Sequence, residues 1–401
     1  MKPKKYSPAH KSNKMAELVC SNSLKSDSSE KAAGILKNEM KELGSLILEA
    51  AYESKVSAGG ALAVDREKFS EYITNKIKNN KLIEICNDEV TELPWSTKNQ
   101  IIIVATGPLT SDSLSKNIEE KVGKRSLAFY DSISPIILYE SIDKDQSFRA
   151  SRYEDGPGDY INCPMNKVEY ENFIGELIKS EKINFHDFEK VQYFEGCLPI
   201  EVMASRGIDT LRFGPMKPVG LIDPKTNKRP YAVIQLRKEN QTESMWNIVG
   251  FQTKMKIQEQ KRVFSMIPAL KNAEFLRFGS IHKNTYLSSP DILNKFLQFR
   301  KNKNIFFAGQ ITGVEGYTES AAMGIIAGIN ASRLHAGINL IDFPKNTALG
   351  TLLNYISIND KTNFQPMNIN LGLFNIEKPK KNIHKIIEDS KSEISKIINL
   401  I

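Results

Sequence analysis

Two cysteines stand in settings suited to chemistry. Cys20 lies in Leu18-Val19-Cys20-Ser21-Asn22-Ser23, and Cys197 lies in Glu195-Gly196-Cys197-Leu198-Pro199. Both stretches read as loops, since Gly, Ser and Pro crowd them. A thiol becomes a nucleophile or a base only as its thiolate, and nearby cations favour that form. Arg206 and Arg212 follow Cys197 closely enough in sequence to serve. From residue types alone, either cysteine could equally be a small buried hydrophobe. Cys86 and Cys163 read as structural core residues. The four cysteines are widely spread with no Cys-x-x-Cys pair, so neither a disulfide framework nor a metal site is expected.

A second candidate is the stretch Gly309-Gln310-Ile311-Thr312-Gly313-Val314-Glu315-Gly316, followed by Tyr317-Thr318-Glu319-Ser320. The apolar run Ile305-Phe306-Phe307-Ala308 precedes it, and a small-residue helix pattern follows it to about Asn330. Strand, glycine loop and helix start in that order present backbone N–H groups to an anionic or electron-rich ligand edge. The same pattern also suits a glycine turn before a well-packed helix. Thr106-Gly107 ends another apolar run, Ile101 to Ala105, read as a fully buried strand. Further on, His282 and Asn284 lie in Leu276-Arg277-Phe278-Gly279-Ser280-Ile281-His282-Lys283-Asn284-Thr285.

The elements that must position these residues follow from periodicity. Leu36, Met40, Leu43 and Ile47 predict one helix over 33–53. Strands are expected at 61–64, 82–86, 127–130 and 136–140, and helices at 167–182 and after Pro290. The turn Asp155-Gly156-Pro157-Gly158 marks a boundary. The expected organisation is therefore a first unit over 1–154, an inserted α+β unit over 155–285, a return to the first unit over 286–376, and an amphipathic terminal helix over 377–401.

The chain has 401 residues and a net charge of +8. No apolar run approaches the roughly 20 residues that span a membrane, and no apolar signal core follows the basic start, so a cytoplasmic protein is expected. Residues 201–270 carry twelve Lys or Arg against six acids, interleaved with Phe213, Tyr231, Trp246 and Phe251. Such a region suits RNA, with Arg206, Arg212, Lys217, Lys228 and Arg229 as candidate contacts. A lysine-rich solvated face would look the same.

Several long stretches share one resemblance. They are Ala16-Glu17-Leu18-Val19-Cys20-Ser21-Asn22-Ser23-Leu24, Gly59-Gly60-Ala61-Leu62-Ala63-Val64-Asp65-Arg66, Asn162-Cys163-Pro164-Met165, Phe194 to Gly207, Gly214-Pro215-Met216-Lys217-Pro218, the Gly309 stretch and Gln365-Pro366-Met367-Asn368. With these in this order, the chain resembles the folate- and FAD-dependent tRNA (uracil-5-)-methyltransferases, the TrmFO family. The resemblance implies an α/β fold: an FAD-binding, Rossmann-like domain of the glutathione-reductase type with a smaller inserted α+β domain. It also implies FAD, 5,10-methylenetetrahydrofolate and NADPH or NADH as cofactors, and the T-loop uridine of tRNA as substrate. A 23S ribosomal RNA uridine is the alternative within the same chemistry. A flavoprotein of the related wobble-uridine-modifying group is disfavoured by the two cysteine motifs. Oligomeric state is left open.

In the resemblance, Cys197 is the nucleophile that adds to uracil C6, and Cys20 is the base that removes the C5 proton. Gly309, Gln310, Thr312, Gly313, Glu315, Gly316, Glu319, Ser320, Thr106 and Gly107 would contact the flavin, and His282 and Asn284 the folate. One departure stands out. The family opens with a Gly-x-Gly-x-x-Gly turn inside a β-α-β unit, and these 401 residues contain no such turn. The fold is therefore expected to lack its first β-α-β unit. If that half of the flavin site is truly absent, the alternative is a catalytically inactive RNA-binding remnant.

Overall fold

The computed structural model describes residues 4, 6, 9–95, 100–123, 127–154, 156, 158–183, 198–357, 364–374 and 376–401, with backbone alone for 127–132 and 281–283. Two hydrophobic cores organise these residues. The larger gathers Ile35, Leu36 and Met40 of the Ala32–Glu42 helix, Phe306 and Phe307 of the Asn302–Phe307 strand, and Ala322, Met323 and Ile326 of the Tyr317–His335 helix. Each fully buried Phe contributes about 1.5–3 kcal/mol relative to exposure. The Asn302–Phe307 strand pairs in parallel with Ile102–Val104, and Gln298–Phe299 flanks its other side in an antiparallel hairpin. A separate three-stranded antiparallel sheet, Ser23–Ser26, Ala61–Val64 and Lys55–Val56, carries the chain out of the Cys20 stretch.

The second core lies on a six-stranded sheet. Its strand order is Phe275–Arg277, Ile136–Leu138, Met245–Ile248, Ala232–Lys238, Ile161–Met165 and Phe148–Arg149, and every pairing is antiparallel. Tyr170, Phe173 and Leu177 of the Lys167–Lys179 helix, with Trp246, Phe251 and Phe264, fill it. That helix starts on a capping box, in which Asn166 and Glu169 satisfy each other's backbone N–H groups. Its sheet takes in Ile136–Arg149, which lies ahead of the Asp155–Gly158 turn. The boundary expected at 155 therefore sits too late, because a turn signal marks a change of direction and not a change of sheet.

Three further expectations are corrected. The single helix over 33–53 is two helices, Ala32–Glu42 and Leu46–Glu53. Gly44 adopts φ +72° and Ser45 then caps the second helix by accepting the Leu48 N–H. No strand forms over 82–86; Leu82 is 95% exposed and Cys86 is exposed, so Cys86 is not a core residue. A short apolar run becomes a strand only where a sheet edge receives it. Finally, the strand Ile102–Val104 is not fully buried: among the described residues it is an edge strand, and Ile103 is 42% exposed.

The terminal helix, Ile383–Ile398, packs Ile386, Ile394 and Ile397 inward, as its spacing predicts. Its Ser390 hydroxyl donates to the buried Glu39, which also accepts the Ala348 and Leu349 N–H groups of the Ala348–Ser357 helix. Burial pushes the Glu39 carboxyl up to about 7.

Candidate active site

The glycine loop opens on a cavity of about 400 Å³. Gly309 and Gln310 form one wall, Ser320, Ala321 and Gly324 of the following helix a second, and Thr106, Gly107 and Pro108 a third. Leu18, Val19 and His10 close it from the N-terminal side. The glycines have a physical reason. Gly107 and Gly309 adopt φ +70° and +80°. A Cβ on Gly107 or Gly324 would meet no atom within 4 Å, so their bare backbone faces open space. The walls therefore form a thin slot that a flat ligand can enter against backbone, beside a helix start whose first N–H groups favour an anion.

The rest of the loop does structural work. Gly313 adopts φ +82° where any Cβ would strike the Phe364 ring, and Gly316 backs onto Glu319 and Lys25. Thr312 and Glu319 are fully buried, and Glu315 nearly so. The Glu315 N–H donates to the Met367 carbonyl at 2.9 Å, and the Gln310 side chain donates to the Glu315 carboxylate at 2.5 Å. Glu319 accepts from Lys25 Nζ at 2.6 Å and from the Ile369 N–H at 3.1 Å. Of the expected flavin contacts, Gly309, Gln310, Ser320, Thr106 and Gly107 line the cavity; Thr312, Gly313, Glu315, Gly316 and Glu319 brace the loop behind it.

The Cys20 stretch is held to the cavity wall by groups far away in sequence. The Tyr317 hydroxyl, itself on the wall, accepts the Cys20 N–H at 2.8 Å. Arg66 donates to the Leu18 carbonyl, and through Nη2 to the Cys20 carbonyl at 2.9 Å. Arg277 donates to the Val19 carbonyl at 2.7 Å. Arg237 donates to the Ser21 hydroxyl at 2.8 Å and to the Asn22 amide oxygen at 3.0 Å. Three consecutive carbonyls thus accept from guanidinium groups, which fixes the loop as no neutral donor set of that size could.

The cluster is electrostatically unbalanced. Glu239 is the carboxylate that pairs with it, bound by Arg66 Nε at 2.5 Å. Burial opposes charge on Arg66, yet Glu239 outweighs it and holds that guanidinium above its ordinary value. Arg237 and Arg277 are lowered, chiefly by burial. Cys20 lies within electrostatic reach of all three guanidinium groups. Spacing in the sequence does not reveal this cluster. Its one signal is the charged run Arg237-Lys238-Glu239 at the end of the otherwise apolar strand run Ala232–Leu236.

The remaining expectations divide clearly. Cys197 lies outside the described residues; Leu198, bonded to it, is buried, and Pro199 caps the short Ile200–Ala204 helix. The His282 backbone pairs opposite Asp131 in a two-stranded ladder, and its side chain lies outside the described set. Asn284 is fully buried, and its amide oxygen and nitrogen have no partner among the described residues. Such an orphaned donor–acceptor pair suits a polar ring edge. Cys163 is fully buried, and burial pushes its thiol well up, as a structural residue requires. Among the RNA candidates, Arg206, Lys228 and Arg229 are exposed, and Arg212 and Lys217 are half-buried. Among the described residues no His, Cys, Asp and Glu group could hold a metal ion.

Comparisons with known proteins agree on one place. The family model described as glucose inhibited division protein A matches residues 6–339. The methylenetetrahydrofolate--tRNA-(uracil-5-)-methyltransferase TrmFO of Caldicellulosiruptor bescii is 56% identical over 394 residues, which is 98% of this chain and 89% of the relative. Its counterpart in Enterococcus faecalis is 52% identical over all of this chain and 89% of the relative. Among solved structures, Aquifex aeolicus GidA in its form II crystal superposes with a TM-score of 0.66 at 16% identity, over 94% of this chain and 67% of that one, which shows a shared α/β fold. With half its residues identical across nearly its whole length, the chain belongs to the TrmFO family.

Proposed function

We propose that this chain methylates C5 of the T-loop uridine of tRNA, with 5,10-methylenetetrahydrofolate as one-carbon donor. The observation that carries this reading is the Cys20 loop. It is built into the wall of the Gly309 cavity and pinned there by three arginines and Tyr317. Leu18 and Val19 of that loop line the slot where a flat cofactor fits, and the Cys20 N–H bonds to Tyr317 on the same wall. Gly107, Gly309, Gly324 and the start of the Tyr317–His335 helix fit FAD, and Asn284 fits the pterin edge of the folate. When bound and reduced, FAD supplies the hydride that completes the methyl group, and NADPH or NADH replenishes it.

The residues then divide the work. Cys197 adds through Sγ to uracil C6, and the electrons of the C5–C6 double bond move to O4, which makes C5 a nucleophile. Once C5 has bonded to the donor's methylene carbon, Cys20 accepts the C5 proton at Sγ, and the C5–H electron pair forms a double bond to that carbon as its bond to the tetrahydrofolate nitrogen breaks. Arg66, Arg237 and Arg277 fix the backbone on either side of Cys20, and so position the residue that must take the proton. Cys197 is released when its C6–S bond breaks. No described helix is long and apolar enough to cross a membrane, which accords with a cytoplasmic site of action.

Trapping tests the assignment. A T-arm RNA with 5-fluorouridine at the target position is expected to form a covalent adduct that maps to the peptide holding Cys197. The adduct should persist in Cys20→Ala and vanish in Cys197→Ala. An adduct that survives Cys197→Ala would show that another residue is the nucleophile.

A further inference from the structure

Phe213 is 84% exposed, at the last position of the short 3-10 helix Thr210–Phe213. Its neighbours on either side, Leu211 and Met216, are fully buried in the second core, and the Met216 N–H donates to the Leu211 carbonyl at 2.8 Å. Arg212 is locked: its Nε donates to the Tyr231 carbonyl at 3.0 Å, Nη1 bonds Asp209 at 2.7 Å, and its guanidinium lies 3.7 Å from the Tyr231 ring centroid. The chain therefore spends binding energy to hold an aromatic ring out in water. Tyr153 is also 74% exposed, and its ring lies over Gly220, where a Cβ would come within 2.7 Å. Large exposed apolar groups held rigidly mark an interaction surface.

The surrounding charge identifies the partner. Residues 205–229 carry six Lys or Arg against two acids, Asp209 and Asp223. Asp209 is taken by Arg212, and Asp223 is buried. Arg206, Lys228 and Arg229 are exposed. An anionic partner with flat apolar faces fits rings set among cations, and that is unpaired RNA. The surface also begins directly after the helix that follows Cys197, and Glu201 of that helix is anchored by Thr253 and the Lys254 N–H.

We propose that Phe213 is a stacking platform for an unpaired base of the same RNA loop that holds the target uridine. Tyr153 offers a second ring, and Arg206, Lys228 and Arg229 take the flanking phosphates. This rests on the RNA-methylating function proposed above, and it assigns the part of the substrate that surface reads. Phosphate contacts hold the RNA in register, while the stacked base selects a loop whose bases are splayed out over a closed duplex.

The test is binding of a T-arm hairpin RNA to the full chain at several salt concentrations. Phe213→Ala is expected to weaken binding about 5- to 100-fold, with the slope of affinity against salt unchanged. Phe213→Tyr should bind within threefold of wild type. Because Phe213 is exposed, the thermal midpoints of both variants should match wild type. Wild-type binding together with Phe213→Ala binding within twofold of it would overturn this inference alone. So would a Phe213→Ala variant whose sedimentation changes while its RNA affinity does not, since the ring would then serve a protein contact. Failure of the wild-type chain to bind the hairpin would instead overturn the proposed function, and this inference with it.

Discussion

The Cys20 loop and the 205–229 surface are both rich in arginine, and they use it in opposite ways. Around Cys20, Arg237 is buried and Arg66 and Arg277 half-buried, and their donors are spent on the chain itself: three carbonyls, a hydroxyl, an amide and Glu239. On the 205–229 surface, the cations Arg206, Lys228 and Arg229 are exposed, and so is the Phe213 ring. The enclosed guanidinium groups give the Cys20 backbone a fixed geometry. Exposed ones give a diffuse field that attracts a polyanion and lets it settle. The two-cysteine reaction proposed above, on a large and flexible substrate, needs both: a braced loop at one cysteine, and a surface that gathers the substrate.

The largest effect that could break this contrast is on stability. Arg66→Met leaves Glu239 buried without its partner and two carbonyls without donors. The expected loss is about 3–5 kcal/mol in urea unfolding. A loss below about 1 kcal/mol would mean that the cluster is not the brace described here.

A smaller effect sharpens the other side. Arg229→Ala should leave urea unfolding within about 0.5 kcal/mol of wild type, because the side chain is exposed. It should lower the salt slope of RNA binding by about 1, since one phosphate contact is lost. An unchanged slope would take Arg229 off the RNA path. The two arginines thus predict opposite patterns: stability falls for one, and salt dependence falls for the other.

The contrast also explains what could be read from the sequence. The glycine loop was legible because it is local: a few residues fix the backbone conformation, and Gly107 and Gly309 do line the cavity. The second sheet was only half legible. Its helix and its long strand showed clear periodicity, but Ile136–Leu138 and Phe148–Arg149 join it from ahead of the turn that looked like its border. The arginine cluster was not legible at all. Arg66, Arg237 and Arg277 meet only after two cores have packed together, and no periodicity encodes that meeting. For the same reason the twelve cations of 201–270 looked alike. In the structure Arg237 and Lys238 are buried, Arg262 pairs with Glu176 and Glu259, and Lys256 pairs with Glu181. Charge counting could not separate these from the exposed Lys228 or Arg229.

The most direct test of the central claim follows one carbon atom. The chain is incubated with FAD, NADPH, tRNA transcript and methylenetetrahydrofolate carrying a ¹³C methylene, and the RNA is then digested and its nucleosides weighed. The account predicts ¹³C in a methyl group on C5 of the T-loop uridine, with none when that uridine is replaced by cytidine or when Cys197 is changed to Ala. Unlabelled RNA from a chain that binds both FAD and tRNA, or label at another position, would contradict it.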